Sequence, residues 1–90
     1  MMITQQQLAI FYRYNGDGDG FAKMGNENDY ALFGNNGWAL ISDLVWDLTL
    51  IYTEKVSEDF KNRTELKLKQ HCDSLATIES LHKYAAEQKD

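Results

Sequence analysis

Residues 38–52 read WALISDLVWDLTLIY, and this stretch decides the fold. Trp38, Ile41, Leu44, Val45, Leu48, Ile51 and Tyr52 recur at three- and four-residue steps, the period of one face of an α-helix. Ser42, Asp43, Asp47 and Thr49 interrupt the apolar run at intervals. The stretch therefore falls short of the roughly eighteen unbroken apolar residues of a membrane span and reads as a core helix. Gly34-Asn35-Asn36-Gly37 stands before it and supplies the break.

Working toward the C-terminus, Ser57 caps a charged helix running to about His71, with Phe60, Thr64 and Leu68 on one face. Glu65-Leu66-Lys67-Leu68-Lys69 also alternates apolar and charged residues, which leaves a short strand open as the alternative there. Asp73 or Ser74 caps a last helix whose apolar face is Leu75, Ile78, Leu81 and Tyr84.

Toward the N-terminus, Thr4 and Gln7 have the spacing of a capping box, and Ile3 and Leu8 that of a hydrophobic staple. The helix they open carries Leu8, Phe11 and Tyr12 on one face, with Tyr14 near its end, and Asn15-Gly16 stops it. A short helix from Glu27 to Phe33 fits between an Asn26 cap and Gly34. The chain contains no proline, so nothing breaks these helices from within. The sum is an all-α fold: a small single-domain bundle of four to five helices spanning residues 1–90.

Composition narrows the function. Fourteen acidic side chains against nine basic ones give a net charge of −5 in 90 residues. The sequence pI is about 4.8. Nucleic acids and anionic membranes both demand clustered Lys and Arg, so neither is expected as a partner. One cysteine excludes an internal disulfide framework and a Cys-rich zinc site. Met1-Met2-Ile3-Thr4 lacks the basic and apolar regions of a secretory signal, and the expectation is a soluble, cytoplasmic protein. Residues 1–53 hold six acidic and two basic side chains and nine of the eleven aromatics, so a site is sought in that half.

That half contains Asn15-Gly16-Asp17-Gly18-Asp19-Gly20-Phe21, which resembles the front of an EF-hand calcium loop. Asn15, Asp17 and Asp19 match positions one, three and five of that loop, Gly20 the turn at six, and the Phe21 carbonyl position seven. Phe11 and Tyr14 match the aromatics of an entering helix. The resemblance implies a calcium site closed by Asn26, at position twelve, or by Glu27 one residue later. The second half departs from the pattern: Asn26 replaces the bidentate glutamate, Lys23 stands at position nine, and Ala22 replaces a branched aliphatic. Asn-Gly and Asp-Gly are also the commonest turn dipeptides, so the favoured reading of the same residues is a plain acidic turn or a partner-facing loop.

No constellation for catalysis is present. His71 and Cys72 are adjacent, hence about a hundred degrees apart on a helix, and make a poor nucleophile–base pair. His71 and His82 lack the spacing of a metal pair, and Asp43 and Asp47 read as solvated surface. There is no P-loop, nucleophile elbow or HExxH motif. Trp38 and Trp46, eight residues apart, predict a core seam; the alternative is that one Trp, with Tyr30 or Phe33, stays exposed as an anchor for a protein partner.

The reading is a non-enzymatic, acidic interaction module, of the inhibitor, immunity or adaptor type, that needs no cofactor and binds a basic protein. It would use Asp17, Asp19, Tyr30, Phe33 and Trp38. The alternative is a calcium-binding protein with one degenerate EF-hand-like loop. The long apolar helix is compatible with packing inside one chain or across a homodimer.

Overall fold

The computed structural model describes residues 2–15, 31–33 and 36–88. It is all-α, with helices α1 (Gln5–Asn15), α2 (Gly37–Thr53), α3 (Glu58–His71) and α4 (Leu75–Glu87). Residues 31–33 are helical as well, while the rest of the expected 27–33 helix lies outside the described residues. Residues 65–69 belong to α3, so the strand alternative is overturned. The reason is visible in the packing. Thr64 and Leu68, one helical turn apart, are both buried, whereas Leu66 is exposed, which an alternating strand would not allow.

The start signals act as the sequence implies. Thr4 Oγ1 accepts from the Gln7 amide at 3.2 Å, and Gln7 Oε1 accepts from the Thr4 amide at 2.9 Å. Gln7 Nε2 also donates to the Leu32 carbonyl. That second bond explains how a glutamine amide can be buried at the base of α1 without an unsatisfied donor. Ser57 caps α3 by accepting from the Phe60 amide at 3.1 Å. Ser74 caps α4 by accepting from the Thr77 amide at 3.3 Å. Asp73 accepts from the Thr77 hydroxyl, which satisfies the buried Thr77 side chain.

Before α1 the chain runs alongside the α3–α4 corner. The Ile3 amide donates to the His71 carbonyl at 2.6 Å, and the Asp73 amide donates to the Ile3 carbonyl at 3.0 Å. This is an isolated parallel bridge centred on Ile3 and Cys72. Ile3 is fully buried, and Cys72 is buried opposite it.

One core results. Ile41, Leu44, Val45 and Leu48 of α2 meet Leu8, Ile10 and Phe11 of α1, Leu68 of α3, and Leu81 and Ala85 of α4. Phe33 joins them, fully buried. The most extensive helix–helix contact is that of α2 with α4. Aromatic rings fill the seam beside α1. Phe11 lies 4.4 Å from Trp38, Trp38 meets Phe33 edge-on at 5.5 Å, and Tyr12 stacks on Tyr84 at 4.2 Å.

Three packing expectations need correction. Leu75 is exposed, and α4 instead buries Thr77, Leu81 and Ala85, an i, i+4, i+8 stripe flanked by Ile78 and Tyr84. Asp47 is not simply solvated, because its carboxylate pairs with Lys67 of α3 at 3.0 Å and keeps only 17% of its side chain exposed. Trp46 does not continue a core seam: it is 68% exposed. At about 100° per residue, Trp46 lies about 80° round the axis from Trp38. It is then about 150° from the centre of the buried Ile41–Leu44–Val45–Leu48 face.

The two sides of α2 should therefore respond differently to truncation. Leu48→Ala is expected to cost about 2–5 kcal/mol in chemical denaturation, as for a fully buried leucine. Trp46→Ala is expected to stay within about 0.5 kcal/mol of the parent, as at an exposed position. Comparable losses at both positions would contradict this packing.

Candidate interaction site

Of the residues in the EF-hand-like stretch, Asn15 alone is described; Asp17, Asp19, Phe21, Asn26 and Glu27 lie outside the described residues, as does Tyr30. Asn15 closes α1, and its Nδ2 donates to the Tyr84 hydroxyl at 2.9 Å, tying the end of α1 to α4. Among the described residues no three His, Cys, Asp or Glu side chains stand close enough to hold one metal ion.

The aromatic candidates sort differently from expectation. Phe33 is fully buried and has no surface to offer a partner, which corrects its assignment as an anchor. The cause is its position against Trp38 and the core, where the helical turn at 31–33 is held by Gln7. Trp38 is half-buried against Phe11 and Phe33 and belongs mainly to the packing. Trp46 is the aromatic of α2 most open to solvent, at 68% exposure against 39% for Tyr52.

Trp46 stands at the edge of a groove of about 300 Å³ between the end of α1, the middle of α2 and the residue after α4. Phe11 and Val45 form its apolar floor. Asn15, Ser42, Thr49 and Gln88 supply amides and hydroxyls, and among the described residues no charged side chain lines it. Thr49 donates its hydroxyl to the Val45 carbonyl at 2.7 Å, which leaves its oxygen as an acceptor. Asp43, one turn before Trp46, is exposed. The whole of α2 carries Asp43 and Asp47 and no basic residue.

A second groove, of about 260 Å³, lies between α1 and α4 beside the Tyr12–Tyr84 stack. The two phenols there are already engaged, Tyr12 with Ser80 at 3.0 Å and Tyr84 with Asn15. Burial raises the Tyr12 hydroxyl above its ordinary pKa despite the Ser80 hydrogen bond. This groove reads as a helix–helix seam.

A polar tie that sequence reasoning missed joins three helices on the far side. Tyr52 of α2 and Nδ1 of His82 in α4 are 2.8 Å apart, and His82 Nε2 lies 3.0 Å from Glu65 of α3. The neutral tautomer protonated on Nε2 satisfies both contacts, with Tyr52 O–H donating to Nδ1 and Nε2–H donating to Glu65. Tyr52, Glu65 and His82 are 13 and 17 positions apart in the chain, and no local spacing rule links them. Only the helix packing brings them together.

Cys72 caps the end of α3 with extended backbone. Burial, with a smaller contribution from the neighbouring Asp73 carboxylate, pushes its thiol from 9.0 up to about 11. The sign follows from linkage. An unfolded thiol loses its proton first, so the stability that this group supplies is complete below about pH 9 and is lost as pH rises to about 11. Urea unfolding of the parent is expected to weaken more steeply across that window than unfolding of Cys72→Ala, and parallel curves would contradict the buried thiol. Comparison of the chain with family models, with curated proteins and with solved structures finds no match.

Proposed function

We propose that this chain is a small, acidic, non-enzymatic interaction module that docks onto a basic protein surface through the exposed side of α2, with Trp46 as its anchor. The exposure of Trp46 carries the reading. A helix whose opposite face is fully buried presents a tryptophan at 68% exposure, beside a groove floored by Phe11 and Val45. Docking such a ring removes on the order of 150 Å² from water, about 4 kcal/mol at 25 cal/mol per Å². Tryptophan is among the residues that most often dominate interface energetics.

Charge supports the choice of partner. The chain carries a net charge of −5, and its first 53 residues hold six acidic side chains against two basic ones. Asn15, on the groove wall, is also the first residue of the stretch that contains Asp17 and Asp19. A negative field of this kind speeds encounter with a positive surface, while the aromatic contact sets how long the complex lasts.

Affinity capture with the parent chain and with Trp46→Ala tests this reading, circular dichroism first confirming that the variant is folded. The expected result is a set of basic proteins retained by the parent, lost with Trp46→Ala, and released at high ionic strength. Retention of the same proteins by Trp46→Ala, or retained proteins with no basic character, would overturn it.

A further inference from the structure

We infer that the Trp46 groove is built to receive an arginine side chain of the partner, its guanidinium stacked on the indole. This rests on the interaction reading above and specifies the chemistry at its centre.

Trp46 offers an exposed aromatic face, and tryptophan is the strongest cation–π acceptor among the side chains. The groove beside it has hydroxyl oxygens at Ser42 and Thr49 and the amide of Asn15, whose nitrogen is already engaged by Tyr84. These are acceptors for a planar group with several N–H donors. Among the described residues, those that line the groove are apolar, hydroxyl or amide side chains. Asp43, three residues before Trp46, is exposed on the same helix and projects near it. Asp47 is held by Lys67, which makes Asp43 the carboxylate of α2 best placed as counter-charge.

Arginine fits this set better than lysine. A guanidinium is planar, weakly hydrated and able to stack while it donates along its edge. An ammonium is compact and strongly hydrated, and among the described residues the groove offers it no buried carboxylate to replace its water. A second copy of this chain is the poorer occupant. Placing α2 against α2 would bring the exposed Asp43 carboxylates of the two copies together with no basic residue on that helix to offset them.

Titration with short oligo-arginine and oligo-lysine peptides of equal length, followed by the indole N–H signals and backbone amides, tests this. Oligo-arginine is expected to shift the Trp46 indole and the Ser42 and Thr49 amides saturably, and to bind about three- to ten-fold more tightly than oligo-lysine. Trp46→Leu should abolish that preference while the chain remains folded. Asp43→Asn should weaken oligo-arginine about two- to five-fold. Equal binding of the two peptides at Trp46 would overturn the arginine assignment and leave the basic-surface reading standing. Shifts confined to other acidic positions, with Trp46 unmoved by either peptide, would overturn both.

Discussion

The rest of this structure depends on two main-chain hydrogen bonds that hold Ile3 to the corner between α3 and α4. A chain with one cysteine has no internal disulfide to close its ends together, and this bridge takes that role. The Ile3 side chain is fully buried beneath it, next to Cys72. With Ile3 fixed, the capping box at Thr4 and Gln7 sets where α1 begins, and Gln7 reaches the Leu32 carbonyl. The aromatic face of α1 then falls against Trp38 and Tyr84, and the groove beside Trp46 gains its Phe11 floor.

Much of this was legible in the sequence because local rules govern it. The three- and four-residue steps of α2 place it to within a residue at each end. The Thr4–Gln7 box and the Ser57 and Ser74 caps are read from side-chain chemistry, and each makes its bond. What escaped is non-local or lies between periods. Nothing near Ile3 announces a bridge to residues 71–73, and nothing near His82 announces Tyr52 and Glu65. The exposure of Trp46 had a signal of its own. Hydrophobic type suggested a seam with Trp38, but the angular position of residue 46 sets it beside Asp43, away from Leu44 and Leu48. Leu75 erred the same way: as the first residue of α4 it lies outside the Thr77–Leu81–Ala85 stripe.

The division of α2 into two faces links fold to function. Its buried side meets all three other helices, which makes it the best-supported element and a rigid base for an exposed ring. A preorganised aromatic on such a base loses little conformational entropy on docking. The candidate calcium ligands Asp17 and Asp19 come two and four residues after Asn15 in the sequence. In the calcium reading that charge serves an ion, whereas in the interaction reading it serves encounter with a basic surface.

Native-state amide hydrogen exchange, read together with exchange of the indole N–H protons, tests this account most directly. The Ile3 and Asp73 amides should exchange only through global unfolding, as members of the core, while the Trp46 indole exchanges rapidly with solvent. Ile3 and Asp73 exchanging at the rate of a fraying terminus, or a strongly protected Trp46 indole, would contradict it.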